Sequence, residues 1–432
     1  MPHGVSSKPD HQIFLIPLSM SLATLSSWLY NRYTSRLWGM VGMMLALGLG
    51  SALPARAQID KLPHPDTTSG NFFGVAVSID GDRALVGASS ETTCGDNAGA
   101  AYLFERDSEA DQWREAARLV PRVCQPGEFF GRSVSLSGDR ALVAASAESF
   151  VAKSSNAAYL FERDSTGTWR QAARLIADSD EEEGPFAASV SLDGDRALVT
   201  TWGDPSNGRF GGAAYIFEYD PEKDRWQRTA RFTGSQGVEQ GIFGGPAALD
   251  GDRAVVSASS YFQREPGSIY IFERDPATNT WNEAAYFGDI DDFFISVDVE
   301  GDRVLVGESK SGSRKSGTAT LFTRDATGKW HSTATLRPPT PYDHGAFGSA
   351  VSLDGNRALV AGYDEQLRMD FNIDRVVYLF EYDAEEDAWE YRHIVDIGEV
   401  AFGASVDLDG AVALIGRASE AEPGAAYVVR LR

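Results

Sequence analysis

Phe130-Gly131-Arg132-Ser133-Val134-Ser135-Leu136-Ser137-Gly138-Asp139-Arg140-Ala141-Leu142-Val143 is one copy of a pattern that recurs through the chain. It reads as a Phe-Gly start, an alternating strand, a tight turn and a second strand. The turn returns as Gly81-Asp82-Arg83, Gly138-Asp139-Arg140, Gly194-Asp195-Arg196, Gly251-Asp252-Arg253, Gly301-Asp302-Arg303, Gly355-Asn356-Arg357 and, degraded, Gly410-Ala411-Val412. The steps between copies are 57, 56, 57, 50, 54 and 55 residues. A period of this size marks a propeller or a solenoid.

Each copy divides into strands. Val77 and Ile79 alternate with Ala76 and Ser78, the period-two signal of a strand. Asp80-Gly81 is expected to form a two-residue hairpin of type I′, which needs positive φ at both central positions. Arg83 to Ala88 returns as a second strand, Ala100 to Glu105 as a third, and Trp113 to Leu119 as a fourth. Four antiparallel strands joined by short turns make one propeller blade. Neighbouring blades cover both faces of such a sheet, which accounts for its rows of Val, Leu, Ala and Gly. Trp113, Trp169, Trp226, Trp281, Trp330 and Trp389 recur at one structural position, so packing on the pleated surface is expected of them rather than ligand binding. The Arg of each turn is expected to pair with the Asp of the neighbouring turn.

The two ends of the repeat array are complementary. The last copy stops at Arg432 without a Trp-bearing fourth strand, and Leu62 precedes Gly74 by twelve residues, as Leu119 precedes Gly131. Residues 58–62 are therefore expected to complete the last blade, and deleting residues 58–66 to destabilise the whole protein. Closure removes the exposed edges that an open array would leave. The expected fold is all-β: a seven-bladed propeller of four-stranded antiparallel blades over residues 58–432, starting near 73, 130, 186, 243, 293, 347 and 402.

Residues 1–57 lie outside the repeat. A short basic stretch, Asn31 to Arg36, precedes an apolar run from Leu37 to Leu53, and Ala55-Arg56-Ala57 supplies small residues in the spacing of a cleavage site. This reads as a secretory signal peptide cut before Gln58, with Met20 as a second candidate start and an uncleaved anchor as the alternative. Removing it takes away four basic residues and one acidic residue, leaving 35 basic against 61 acidic, a net charge of −26. That field disfavours nucleic acid and anionic membrane surfaces as partners. A secreted or periplasmic monomer with no membrane span after cleavage is expected.

The pattern Phe130 to Leu136, then Ala141 to Ala145, then Ala157-Ala158-Tyr159-Leu160-Phe161 resembles the FG-GAP repeat of integrin α-subunit propellers and of secreted bacterial proteins. The resemblance covers nearly all of residues 58–432 and implies the propeller fold. Phe-Gly is kept in units one, two, four, six and seven, while unit three has Phe186-Ala187 and unit five has Phe293-Phe294. Calcium-binding members carry a long Asp-rich loop between the first two strands. Here that link is a short turn with too few oxygens for a six- to eight-ligand cage, so no metal and no cofactor is expected. A kelch propeller is the neighbouring alternative.

Cys94 and Cys124 fall in loops that open on one face of a propeller, and an exported chain keeps disulfides. A Cys94–Cys124 bond is expected, with two free thiols as the alternative. The sequence carries no nucleophile elbow, zinc motif or phosphate-binding loop. His64 and His344, with Asp66, Asp343, Asp289, Asp291, Asp292 and the run Asp178 to Glu183, fall on the Phe-Gly face. They read either as a solvated acidic rim or as an acid–base or cation site. The loops between second and third strands vary most and carry Trp202, Phe210, Tyr261, Phe262, Tyr363 and Phe371. Aromatic residues in variable loops on a rigid scaffold are what a binding surface uses. The expected function is a non-catalytic module for a protein or glycan partner at this face. A glycan hydrolase or lyase at the channel mouth and a purely structural envelope component are the other readings.

Overall fold

A computed structural model describes residues 58–64, 69–146, 156–177, 186–202, 211–236, 242–260, 265–290, 295–309, 316–341, 345–363, 375–395, 403–419 and 422–431. All regular structure among them is β. After β1 (Gln58–Lys61), blade 1 is β2 (Phe73–Asp80), β3 (Arg83–Ala88), β4 (Ala100–Asp107) and β5 (Gln112–Leu119). Blade 2 is β6 (Val134–Ser137), β7 (Arg140–Ala145), β8 (Ala157–Arg163) and β9 (Trp169–Leu175). Blade 3 is β10 (Phe186–Asp193), β11 (Arg196–Thr201), β12 (Ala213–Asp220) and β13 (Arg225–Phe232). Blade 4 is β14 (Ile242–Asp250), β15 (Arg253–Ser260), β16 (Glu265–Asp275) and β17 (Thr280–Ile290). Blade 5 is β18 (Ile295–Glu300), β19 (Arg303–Glu308), β20 (Thr318–Arg324) and β21 (Trp330–Leu336). Blade 6 is β22 (Val351–Asp354), β23 (Arg357–Tyr363), β24 (Arg375–Asp383) and β25 (Ala388–Val395). Blade 7 is β26 (Ser405–Asp409), β27 (Val412–Arg417) and β28 (Ala425–Arg430), with β1 as its outer strand.

The seven four-stranded sheets are antiparallel meanders, and the first strand of each is its innermost. The ring closes as the chain ends imply: β1 pairs with β28, Gln58 opposite Arg430 and Lys61 opposite Tyr427. Cores form between blades rather than within them. Leu142 and Leu160 of blade 2, for example, pack with Val190, Leu192, Val199 and Tyr215 of blade 3, all buried.

The first hairpin differs from its expected form. Asp80 lies opposite Arg83, so the loop is Gly81-Asp82, one residue later than expected. Gly81 has φ +59°, and Asp82 is not left-handed. Positive φ at the first central position alone is the type II′ pattern, which also suits the strand twist. A Cβ on Gly81 would meet nothing within 4 Å, so Gly is there for its φ and not for space. The second hairpin follows its own rule. Asp111, Gly167, Asp224, Asn279, Gly328 and Asp387 are all left-handed. Each stands two residues before the repeated Trp, and these are the residue types that tolerate that conformation.

The Phe-Gly pair has two separate jobs. Phe73, Phe130, Phe186, Phe243 and Phe347 are all buried. Each meets the Tyr of its own blade's third strand, at ring-centroid distances of 5.7, 5.7, 5.6, 5.2 and 5.2 Å. The Gly carries its carbonyl against the preceding blade. A Cβ on Gly87 would lie 1.8 Å from the Gly131 carbonyl oxygen, and one on Gly416 would lie 2.1 Å from that of Gly74. Backbone meets backbone at these seams, which only Gly permits.

Hydrogen bonds close a ring around the turn face. The residue before each turn Gly accepts the Gly N–H of the next blade. Asp409 takes Gly81 at 2.6 Å, Asp80 takes Gly138 at 2.5 Å, and Ser137 takes Gly194 at 3.0 Å. Asp193 takes Gly251 at 2.7 Å, Asp250 takes Gly301 at 2.6 Å, Glu300 takes Gly355 at 2.9 Å, and Asp354 takes Gly410. The expected Arg–Asp pairs run beside it for four blades: Arg83–Asp139 at 3.0 Å, Arg140–Asp195 at 2.6 Å, Arg196–Asp252 at 3.0 Å and Arg253–Asp302 at 2.5 Å. They stop where Asn356 and Ala411 remove the carboxylate. Arg303 turns instead to its own Glu300 at 2.6 Å, and Arg357 donates to the Gly410 carbonyl at 3.2 Å.

Candidate functional site

The two faces of the ring are built differently. The turn face carries short, uniform hairpins whose charged groups bond one another. The opposite face receives the connections between second and third strands and those between blades, and the described aromatic candidates Trp202 and Tyr363 stand at its edge. Trp202 follows β11 directly and is 40 % exposed. Tyr363 ends β23, its backbone opposite Arg375, and its side chain lies outside the described residues. Phe210, Tyr261, Phe262 and Phe371 also lie outside them, as do Asp66, Asp291, Asp292, Asp343, His344 and the run Asp178 to Glu183.

His64, one of the two titratable candidates that are described, is used in packing. Its ring stacks on Phe73 at 3.9 Å and meets the edge of Tyr102 at 4.8 Å, and its Nε2 bonds Asn71 at 3.2 Å. Asp289 is exposed with φ +59°. Among the described residues, no group of His, Cys, Asp and Glu is arranged to hold a metal.

One part of the face is braced. Cys94 and Cys124 form a disulfide, with Cα atoms 5.9 Å apart and a sequence separation of 30. Beside it, Gly127, Phe129 and Phe130 donate their N–H groups to the carbonyls of Asp96, Asn97 and Ala98 at 2.8, 3.0 and 3.0 Å. Beneath lies Glu91, its side chain fully buried and ion-paired with Arg118. Burial pushes the Glu91 carboxyl up, but the Thr93 hydroxyl and Arg118 outweigh it and hold the carboxyl below its usual range. Replacing both cysteines by serine is expected to cost about 2–4 kcal/mol of stability. Urea unfolding with and without reductant checks this; coincident midpoints for the variant and oxidised protein would refute it.

Apolar exposure is uneven. Among the described residues the exposed large hydrophobics are Val123 (70 %), Ile176 (45 %), Trp202 (40 %) and Tyr391 (37 %). Tyr391 sits on an outer strand. The other three occupy the blade 1–2 connection, the blade 2–3 connection and the loop after β11, all on the variable-loop face. Val123 adjoins the disulfide. The sequence singled out Trp202 among these. Val123 and Ile176 were not legible because a lone Val or Ile beside a strand end looks like core.

The channel wall was also missed, though its signal is plain afterwards. Innermost strands leave an edge of N–H groups without a strand partner, and side chains of the preceding blade supply acceptors. Ser78 takes the Leu136 N–H at 3.1 Å, Ser135 that of Leu192 at 3.0 Å, and Ser191 that of Leu249 at 3.0 Å. Serines alternating with apolar residues, as in Ser133-Val134-Ser135-Leu136-Ser137, are the sequence trace of this ladder. Ala248 breaks it, having no acceptor. In the following blade Asp298 stands at the same position and serves two groups, its own Val299 N–H at 2.8 Å and the Leu353 N–H of blade 6 at 2.7 Å.

Comparison with known proteins fits this geometry. The FG-GAP repeat model matches residues 57–104, 113–161 and 169–217. The chain carries FG-GAP repeats. Each matched FG-GAP stretch runs from the outer strand of one blade to the third strand of the next, so the overlap that closes the ring is part of the repeat itself. The FG-GAP ring is similar in fold to U3-55K, with a TM-score of 0.53 and 11 % identity over 86 % of this chain and 98 % of that one. It is similar also to the RRP9 WD40 repeats, at TM-score 0.52 and 10 % identity over 87 % and 100 % of the two chains. A Kuenenia stuttgartiensis hydrazine synthase chain aligns at TM-score 0.50 and 14 % identity, over 82 % and 94 %. At such identities the likeness is one of fold alone. No curated protein matches. Among the described residues, no helix is long and apolar enough to cross a membrane.

Proposed function

We propose that this FG-GAP propeller is a secreted, monomeric, non-catalytic binding module whose variable-loop face holds a protein or glycan partner. The observation that carries the reading is the placement of Val123, Ile176 and Trp202. Three of the four large exposed hydrophobics among the described residues lie on one face, on three successive blades. Isolated exposed apolar residues are ordinary, but a group on one side of a rigid scaffold is the usual mark of an interaction surface. The disulfide supports the reading in two ways. It suits an oxidising compartment, and it holds the loop beside Val123 in place before any partner arrives, which lowers the ordering cost of binding.

Affinity capture tests this. Tagged protein is incubated with envelope and secreted extract, and retained material is identified by mass spectrometry and glycan analysis. A saturable partner is expected, and Trp202→Ala is expected to weaken it by about 30-fold, the scale of an aromatic anchor at an interface. Retention indifferent to Trp202→Ala and to Val123→Asp would remove the face from consideration. Turnover of the retained material would replace the binding reading with an enzymatic one.

A further inference from the structure

Two carboxylates stand in the channel wall where the other blades carry Ser or Ala. The third residue before the turn Gly is Ser78, Ser135, Ser191, Ala248, Asp298, Ser352 and Asp407 in blades 1 to 7. Asp407 behaves as Asp298 does. One oxygen accepts its own Leu408 N–H at 3.0 Å, and the other accepts the Ile79 N–H of blade 1 at 2.7 Å. The second bond spans the seam at which the ring closes. Between the two acids, on blade 6, lies Ser352, whose hydroxyl donates to Asp407 Oδ1 at 3.3 Å.

The groups around this pair are few. β22 contributes Ser352, β2 contributes Ser78, and β14 presents Ala248. The charge that faces Asp298 is Asp407 itself, and the polar groups acting on Asp407 are the Ser78 and Ser352 hydroxyls with two backbone N–H donors. Both acids keep some surface on the channel, but protein rings that channel on every side, so water does little to relax their charge. Burial, and then the Asp407 charge, push Asp298 up to about 7; burial pushes Asp407 up to about 6. Both interact with the Ser352 hydroxyl and the charge of one acts on the other, so they titrate as a pair.

We propose that ring closure is proton-linked: Asp298 and Asp407 hold a shared proton across Ser352, and the joints from blade 5 to 6 and from blade 7 to 1 tighten as pH falls through neutrality. The sign follows from linkage. A carboxyl whose folded pKa lies above its unfolded value of 3.8 binds a proton that the unfolded chain does not. Stability from that proton is present at low pH and is lost as pH rises through the folded values. Acids on the turn face oppose this only in stronger acid. Thr166 and Arg170 hold Asp164 well below the usual range, and Thr327 and His331 do the same for Asp325. Their contribution fades as pH falls below about 4. The most stable pH therefore lies at about 4, where those acids are still ionised and the Asp298 and Asp407 protons are still held.

Unfolding of the full chain is followed by denaturant from pH 4.5 to 8.5, beside Asp298→Ser and Asp407→Ser, which install the residue common at this position. For wild type, the unfolding constant is expected to rise by about tenfold per pH unit through the window, the value for one linked proton. Either variant is expected to flatten that slope and to protect the fold at pH 8.5. A wild-type profile flat from pH 5 to 8, or a slope unchanged in both variants, overturns the proposal. Should a variant fail to fold, the wild type alone still decides. Amide exchange at Ile79 and Leu353 is expected to quicken at least fivefold more than that at Leu136 between pH 5.5 and 8 after correction for intrinsic rates, and equal changes at all three overturn it. Neither readout depends on the partner surface, so the two readings fail separately.

Discussion

Removing residues 58–66 is expected to abolish the cooperative melt of the whole ring. Four backbone pairs with β28 disappear, and so does the Leu62 N–H bond to the Ala426 carbonyl at 2.9 Å. Leu62 is 2 % exposed among Phe73, Tyr102 and Val428, and Ile59 packs on the cluster of Val429 and Leu431. Burial of one such side chain contributes about 2 kcal/mol and each backbone bond about 1 kcal/mol net. The sum, roughly 8 kcal/mol, rivals the entire stability of many domains. The damage also spreads. Without β1, blade 7 presents β28 as a raw edge, open to pairing with other chains. Calorimetry and light scattering are the readouts. An unchanged transition with no added association would mean that the seam is held elsewhere, by the Gly74–Gly416 contact and the Asp407 bond alone.

Gly87→Ala is expected to destabilise by about 4 kcal/mol or more, through the seam between blades 1 and 2. Its added Cβ would stand 1.8 Å from the Gly131 carbonyl oxygen, and the neighbouring atoms are backbone, not the movable end of a side chain. The two blades must separate, which loosens the buried Phe130, Leu85 and Ala101 packed between them. Gly81→Ala is the control. It adds the same atom at a glycine with φ +59° but with nothing within 4 Å, so only backbone strain of about 1–2 kcal/mol is expected. Urea midpoints of the two variants separate close packing from conformational freedom. Equal losses would show that the seam yields.

The Gly-Asp-Arg turns and the missing fourth strand were enough to place seven blades and the closing strand, because both are local or arithmetic features of the repeat. The turn type was not legible. Asp80-Gly81 and Gly81-Asp82 are equally good turn dipeptides, and the choice between them belongs to the register of β2 against β3. The Arg–Asp ring was legible in four blades and failed where Asn356 and Ala411 take the Asp position. Those departures were visible, but their consequence was not, since Arg303 had a nearer carboxylate in Glu300. For the proposed binding face the sequence pointed to the variable loops, yet variability does not say which side chains remain exposed.

The residue pattern alone dictates the repeat, and with it the blade, the blade number and the ring. Unbroken apolar runs such as Ala84-Leu85-Val86-Gly87-Ala88 bury both faces of a sheet, and sheets of that kind must stack on one another until no edge is left. Everything that depends on two distant residues meeting is settled by the folded ring instead. The Gly87–Gly131 seam, the ladder from Ser78 to Leu136 and the bonds of Asp298 to Leu353 and of Asp407 to Ile79 join residues on different blades. Local propensity carries no information about such pairs. Closure creates them, and the energy of each follows from how near the ring brings its two sides.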